Sequence, residues 1–263
     1  MEPYKWKLLL LLLGLALLFT PLWWWSWRKN RQEALEHEDK LAAFANKVGA
    51  TVTDASGDVL PWSAGLASPF LGEHDGVMGM ISSAGGPQFD YALEFERNGW
   101  RVRVCEASVE VRTATTAGNT VTDYEHRIEV ATSELVPLKI VTRHWAQGRR
   151  FRKWAAEMPQ SVADQERPLW MELRLAEAVD QAHLAFTSDL VEADAVLSPQ
   201  VAGWLQAQAD GQLFRHLTFE AGIVYTTADG QIAEESVLSR VDALLDLLGH
   251  MPGVRPRNPV TAG

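Results

Sequence analysis

An uncharged run of residues near the N-terminus constrains this chain more than any other feature. It extends from Leu8 to Trp27, reads LLLLLLGLALLFTPLWWWSW, and is followed directly by Arg28 and Lys29. A helix of that length, at about 1.5 Å per residue, spans the roughly 30 Å hydrocarbon core of a bilayer with its backbone hydrogen bonds satisfied internally. The sequence therefore predicts a transmembrane helix over residues 8–27, after a short flank at 1–7, with the lipid bilayer as a partner.

The same run has a second interpretation, as a secretory signal, because it is N-terminal and preceded by Lys5 and Lys7. Signal peptidase cleaves after small residues, whereas this run ends in Pro21, Leu22 and the tryptophan-rich segment 23–27. Tryptophan rings at the end of an apolar helix are typical of the headgroup region of a bilayer. We therefore expect an anchor that stays in the mature protein.

The charges that flank the anchor bear on its orientation. Basic residues nearly balance on the two sides, with a slight excess on the C-terminal side: Lys5 and Lys7 against Arg28, Lys29, Arg31 and Lys40. The single cysteine, Cys105, cannot form an internal disulfide, so folding needs no oxidising compartment. Both features favour a single-pass protein of the cell membrane whose C-terminal domain lies in the cytoplasm.

The chain is acidic, with 24 Lys plus Arg against 34 Asp plus Glu and a formal net charge of −10 at pH 7. A negative field of this size repels polyphosphates unless a local basic patch overcomes it. Nucleic acid is therefore not an expected partner of this protein.

Apolar spacing beyond the anchor predicts one α+β domain. Residues 28–48 repeat their apolar positions at helical spacing, as a juxtamembrane amphipathic helix does. An α+β domain follows over residues 49–252, with two candidate sub-lobes at 49–142 and 183–252. Residues 253–263 hold too little apolar surface to order themselves and are expected to form a flexible tail.

The middle of the chain has the alternation of an antiparallel sheet. Apolar residues alternate with polar ones over 89–95, 100–111 and 124–141, which predicts strands there. The phase of the alternation changes near Glu106 or Ala107, where we expect a bulge or turn.

Later segments mix helix and strand signals. Residues 173–187 are compatible with either, and 191–208 has helical spacing. Strands at 213–219 and 222–227 form a predicted hairpin, and 232–248 has the apolar face of an amphipathic helix. The fold class expected from these patterns is α+β, an N-terminal transmembrane helix followed by a mainly antiparallel sheet with flanking helices.

The sequence contains few combinations of residues that could carry chemistry. Gly72–Gly76 places His74 and carboxylates in a turn-rich loop, and His126 lies near further carboxylates, but no serine or cysteine can be assigned to either histidine. The glycines fit no phosphate-binding loop and the histidines no metal-ligand spacing. We therefore predict no catalytic, cofactor-binding or metal-binding residues, and no cofactor.

One stretch combines cations with aromatic rings and is the candidate contact site for lipid or a partner: Arg143, Trp145, Arg149, Arg150, Arg152, Lys153 and Trp154. In the interpretation we favour, the cations pair with nearby acidic residues and the rings pack inward. Contact with anionic headgroups or a protein partner is the next, and single-stranded nucleic acid the last.

Several short segments carry a resemblance to a known family: Val48–Ala50, Asp58–Leu60, Ser68–Phe70, Gly76–Gly79, Phe89–Tyr91, Asp194–Leu205 and Met251–Pro252. In these segments the chain resembles a group of single-pass membrane proteins common in actinobacteria whose function is unknown. The resemblance implies an anchored α+β domain and no particular reaction.

These features favour a membrane-anchored binding or scaffolding module, with a protein partner at the membrane as a further expectation. An envelope-associated hydrolase that uses a His/carboxylate pair is the alternative, and a structural spacer at the membrane is the third.

Overall fold

The computed structural model describes most of the chain, in these ranges: residues 3–55, 57–66, 88–112, 120–146, 158–162, 164–208 and 213–257. The chain divides into two compact units, Met1–Phe44 and Ala45–Gly263.

The N-terminal part of the chain is one helix, α1, which extends from Pro3 to Val48. It includes without a break both the segment predicted as the anchor, 8–27, and the juxtamembrane helix predicted at 28–48. Pro21 lies inside it. Within the described part of the chain, no helix combines the length and the apolar content needed to cross a bilayer.

A mixed-length antiparallel sheet dominates the second unit, as the sequence predicts. Its strands are β1 Thr51–Asp54, β2 Gln88–Arg97, β3 Trp100–Arg112, β4 Thr120–Ala131, β5 Leu138–Thr142, β6 Met171–Leu173, β7 His183–Thr187, β8 His216–Glu220 and β9 Ile223–Asp229. Their order is β1-β2-β3-β4-β9-β8-β5-β7-β6. Since β4 pairs with β9 and β5 with β7 and β8, the segments 49–142 and 183–252 contribute to one continuous sheet.

Short helices and one longer one flank the sheet. They are α2 Arg143–Ala146, α3 Glu177–Asp180, α4 Leu190–Val196, α5 Pro199–Gln208 and α6 Glu234–His250, with a 3-10 helix at Asp164–Glu166. The α+β class is thereby confirmed. The ambiguous segment 173–187 contains the end of β6, helix α3 and strand β7.

One face of the sheet is apolar and forms the core with the helices. Buried side chains on this face are Leu93, Phe95, Val102, Val104, Ile128, Val130, Leu138, Ile140, Ala185, Leu217, Phe219 and Val224. Helix α6 contacts β4, and its buried residues Val237, Val241, Leu244 and Leu248 recur at helical spacing. We call this side the apolar face.

Two tight turns join neighbouring strands through pairs of residues with positive φ. Asn98 and Gly99 (φ 53° and 79°) connect β2 to β3, and Ala221 and Gly222 (φ 53° and 72°) connect β8 to β9. Positive φ at both central residues is the signature of a type I′ hairpin turn, which matches the twist of the strands.

The predicted irregularity near Glu106 lies on the neighbouring strand. Strand β3 pairs with β4 in unbroken register, and the register shift falls on β2 between Phe89 and Tyr91, which face Ala107 and Glu106. Asp90 is therefore the extra residue of a β-bulge. The apolar alternation of β3 changes phase there although its backbone continues.

The first part of the predicted flexible tail is held against the sheet. The Ser133 N–H donates to the Arg255 carbonyl at 2.7 Å, and Thr132 forms a β-bridge with Pro256. Backbone pairing thus orders residues up to 257 in spite of their low apolar content, and residues 258–263 lie outside the described ranges.

Candidate binding site, an arginine-lined cleft beside a buried polar row

The other face of the sheet carries charged and hydroxyl side chains that are buried. Cross-strand register aligns six of them on six adjacent strands, from β2 to β5: Glu94, Arg103, Glu129, Tyr225, Thr218 and Lys139. All but Glu94 are at most 7% exposed. We call these six residues the polar row. Because a buried ion is costly unless it is paired and hydrogen-bonded, each member needs partners.

Glu129 obtains its partners from the loop at residues 57–66. Its carboxylate accepts hydrogen bonds from the backbone N–H of Trp62 at 2.6 Å and of Ser63 at 2.9 Å, and from the Ser63 hydroxyl. The Arg127 guanidinium donates to the same hydroxyl oxygen and lies over the Tyr225 ring, 5.5 Å from its centroid. These bonds fix the loop on the polar side of the sheet.

A second buried carboxylate holds another loop in the same way. Glu220, at the end of β8, accepts hydrogen bonds from the backbone N–H groups of Gln160 and Ser161. Burial raises the pKa of Glu220, and the two N–H donors oppose this rise. Nearby, the Lys139 ammonium lies 4.4 Å from the centroid of the Trp170 ring, a cation–π contact.

A cleft of about 750 Å³ opens at the end of the sheet where β5 and β9 end and β7 and β8 begin. The described residues around it are Thr142, Arg143, His144, Trp145, Gln181, Ala182, Leu213, Phe214, Arg215, Thr227, Ala228, Asp229 and Arg240. Its volume lies in the range of pockets that bind small molecules. Antiparallel pairing is what gathers these residues, since Thr142 N–H bonds to the Arg215 carbonyl and Arg143 N–H to the Ala182 carbonyl.

Three arginines line the cleft. Arg143 forms an ion pair with Asp180 at 2.9 Å, and Arg215 binds both carboxylate oxygens of Asp229, one of them at 2.6 Å. Arg240 donates instead to neutral oxygens. Burial, and then the charge of Arg215, lower the pKa of Arg240.

Trp145 and His216 connect the cleft to the buried polar side of the sheet. The two rings lie 5.8 Å apart between centroids, and His216 Nε2 is 2.9 Å from the hydroxyl of Thr227. Thr227 lines the cleft, so this pair has the layout of a nucleophile and its base. Burial lowers the pKa of His216 to about 3, and a base that weak does not activate a hydroxyl near neutral pH.

The predicted contact stretch is only partly within the described residues. Arg143 and Trp145 belong to α2 and line the cleft, where Arg143 pairs with Asp180 and Trp145 packs against Val141. Arg143 is thus a paired cation and Trp145 a half-buried ring. The remaining predicted members, Arg149, Arg150, Arg152, Lys153 and Trp154, lie outside the described ranges.

Of the two histidines offered for a hydrolase, the one within the described residues, His126, does not line the cleft. His74 lies outside the described ranges. His126 is 1% exposed, and its Nδ1 is 2.9 Å from the Gly230 carbonyl oxygen. Glu106 faces it across β3 and β4, but accepts the Ile232 N–H at 2.6 Å. Neither side chain reaches the cleft wall, and in the described part of the chain no cluster of His, Cys, Asp and Glu could hold a metal.

Sequence reasoning missed Arg215, Asp229, Arg240 and the polar row. Glu125, Arg127 and Glu129 alternate with apolar residues along β4, a pattern that a solvated sheet face produces equally well. A usable signal was the alternation of charge sign, which favours cross-strand ion pairs.

No protein-family model and no curated protein matches the chain. Among solved structures, the mycobacterial trehalose monomycolate transport factor A, TtfA, aligns with a TM-score of 0.45 and 12% sequence identity, over 85% of this chain and 97% of that chain.

Proposed function

We propose that the protein is a membrane-anchored binding module whose ligand site is the arginine-lined cleft. The observation that carries this proposal is the concentration of three arginines around a cleft of ligand size, in a chain with a net charge of −10. Polar groups converging on a partly apolar concave surface are the usual features of a small-molecule site.

The anchor in this proposal is the first half of α1, residues 8–27, as a single-pass span of the cell membrane. Beside its uncharged sequence, it ends in exposed rings, with Trp23 71% and Trp25 64% exposed. Arg28 lies 5.4 Å from the centroid of the Trp24 ring and Arg31 5.5 Å from that of Trp27. Tryptophan and arginine together are typical of a membrane interface.

In the orientation that the flanking charges favour, the sheet domain faces the cytoplasm. Its contact with headgroups or with a protein partner, through Arg149, Arg150, Arg152, Lys153 and Trp154, remains part of the proposal. The anchor is tested by carbonate extraction of cell membranes that contain the full chain. Wild type should stay in the pellet, and the variant with Leu12→Arg and Leu15→Arg should be released.

The cleft is tested with three ring compounds that share a phenyl group and differ in charge: phenyl phosphate, phenyl glucoside and phenyltrimethylammonium. The full chain, purified in dodecyl maltoside, should bind at least one of them in isothermal titration. Filling the cleft with Ala182→Trp should abolish that binding, whereas Ala207→Trp on the exposed side of α5 should not. If no compound binds, or if Ala182→Trp changes nothing, the cleft is not the ligand site and the structural spacer is favoured.

One contact favours the hydrolase as the second candidate. The Thr227 hydroxyl is hydrogen-bonded to His216 at the cleft wall, and a hydrolase would use it as nucleophile. The low pKa of His216 argues against this reaction. Hydrolysis of p-nitrophenyl acetate that is lost in Thr227→Val would support the hydrolase, and rates equal to those of wild type would end that alternative.

A further inference from the structure

The three arginines of the cleft differ in how their charge is neutralised. Asp180 pairs with Arg143 and Asp229 with Arg215. Arg240 has its hydrogen bonds to the Leu213 carbonyl at 3.3 Å and to the Ser236 carbonyl and hydroxyl at 3.2 and 2.6 Å. Within the described ranges, no carboxylate lies within ion-pair distance of Arg240. Among the described residues, Arg240 is therefore the cleft arginine without a direct carboxylate partner, and Asp229 acts on its charge only from a longer distance.

The bonds of Arg240 also hold its guanidinium in place. Arg240 donates two of them to Ser236, in the first turn of α6, and one to Leu213, in the segment that precedes β8. A guanidinium held by neutral carbonyls is already oriented, so it loses little conformational freedom when it binds an oxyanion. Partial removal from water strengthens its attraction for that oxyanion.

The rest of the cleft wall is not suited to a bare inorganic ion. Trp145, Phe214 and Leu213 present ring and aliphatic surface next to the arginines. A volume of about 750 Å³ is also far larger than a phosphate needs. The wall thus suits a molecule with an apolar part as well as a charged one.

We infer that the cleft binds an organic oxyanion, a molecule with one phosphate, sulfonate or carboxylate group and an apolar ring or chain, and that Arg240 takes the anionic group. This inference rests on the proposed function, because it names the ligand class of the same cleft. Arg215 assists when its pair with Asp229 opens towards the ligand.

The test compares the affinities of the full chain, in dodecyl maltoside, for phenyl phosphate and for phenyl glucoside. Phenyl phosphate should bind more tightly than phenyl glucoside. Added salt should weaken the binding of phenyl phosphate because the attraction is between charges. Arg240→Gln should weaken the binding of phenyl phosphate by about tenfold or more, since hydrogen bonds to charged groups contribute more to affinity than those between neutral groups. Arg240→Lys should retain part of the affinity, and Arg97→Gln, at a residue that does not line the cleft, should match wild type.

A second substitution, which is expected to raise the affinity for phenyl phosphate, distinguishes the loss of the Arg240 contact from a loss of the fold in Arg240→Gln. Asp229→Asn removes the carboxylate that neutralises Arg215, so phenyl phosphate should bind more tightly than to wild type. Equal affinities for the phosphate and the glucoside, or unchanged binding in both Arg240→Gln and Asp229→Asn, would overturn the inference. Binding of phenyl glucoside alone, lost in Ala182→Trp, would leave the proposed function standing, and binding of no compound would end both.

The anionic group can come from a water-soluble molecule or from a lipid headgroup, and competition separates these sources. The full chain is placed in nanodiscs of phosphatidylcholine, with or without phosphatidic acid, and titrated with phenyl phosphate. Weaker apparent binding in the presence of phosphatidic acid would support a headgroup ligand, and equal binding a soluble one.

Discussion

Glu129 binds Ser63 at two points, through the backbone N–H at 2.9 Å and through the side-chain hydroxyl. Both residues are completely buried, and Arg127 donates to the same hydroxyl. Removing the carboxylate would leave a buried guanidinium without this counter-charge and the loop without its acceptor, which is among the costlier changes in a protein interior.

Glu129→Gln should therefore lower the free energy of unfolding by about 3 kcal/mol. Urea unfolding of the full chain in dodecyl maltoside measures this loss. Glu96→Gln, at an exposed position of β2, is the matched control and should change stability by no more than about 0.5 kcal/mol. Equal effects of the two substitutions would mean that the Glu129 bonds contribute nothing beyond a surface carboxylate.

Acid should destabilise the protein through His216. Because burial lowers the pKa of His216 to about 3, the unfolded chain binds a proton there at a higher pH than the folded chain does. The contribution of His216 to the free energy of unfolding then decreases as the pH is lowered from about 6.5 to about 3, by up to about 1.4 kcal/mol per pH unit for one proton. The lowered pKa values of His126 and His183 act in the same direction. The raised pKa values of Asp90, Glu129 and Glu220 act in the opposite direction, because these carboxyl groups bind a proton at a higher pH in the folded chain than in the unfolded chain.

His216→Gln should consequently reduce the slope of unfolding free energy against pH by one proton between about pH 6.5 and about pH 3, and leave the contributions of the other groups whose pKa values are shifted. Thr227→Val is the control, since it removes the hydroxyl next to His216 and keeps the buried ring. Denaturant titrations at a series of pH values give the slopes. A variant His216→Gln with the slope of wild type would show that His216 titrates alike in both states.

The antiparallel sheet and helix α6 could be predicted because each has one apolar side at a regular spacing. The polar row could not, since a strand such as β4 has the same alternation whether its charged side faces water or a covering loop. What buries Glu129 is the segment around Trp62, which is distant in sequence. The cleft escaped prediction for a similar reason, because β5, β7, β8, β9 and α6 bring its residues together from separate parts of the chain.

In the β8–β9 turn, a substitution at one position should stabilise the protein and a substitution at the next should destabilise it. Ala221 has φ of 53°, which costs energy for alanine, whereas the matching position of the β2–β3 turn is Asn98. Ala221→Asn should stabilise the protein by about 0.5 kcal/mol.

Gly222→Ala should destabilise the protein, by more than about 1 kcal/mol in the free energy of unfolding. Its φ is 72°, and an added Cβ would lie 3.3 Å from the Thr132 carbonyl oxygen. Thermal unfolding of the two variants beside wild type measures both effects. Changes of the same sign would contradict the type I′ assignment of this turn.

The ion pair between Arg97 and Asp242 joins β2 to α6 at the surface. Its distances are 2.5 Å from Arg97 Nε to Asp242 Oδ1 and 2.7 Å from Arg97 Nη2 to Asp242 Oδ2. In spite of its two-point geometry it should contribute only about 0.5–1 kcal/mol, because both side chains are solvated. A double-mutant cycle with Arg97→Gln and Asp242→Asn measures the coupling. It should shrink in high salt, and a coupling that is unchanged by salt would show that hydrogen bonding rather than charge carries it.

Removal of residues 1–29 should leave the sheet domain folded, because every described strand and helices α2 to α6 lie within Ala45–Gly263. Cys105 offers a direct readout. It is completely buried, and burial raises the pKa of its thiol to about 12, so iodoacetamide, which attacks the thiolate, should not modify it in the folded state. In the truncated chain, Cys105 should stay protected in buffer and react in urea, as in the full chain. Rapid alkylation without urea, or a truncated chain that only aggregates, would show that the domain depends on the N-terminal residues for its fold.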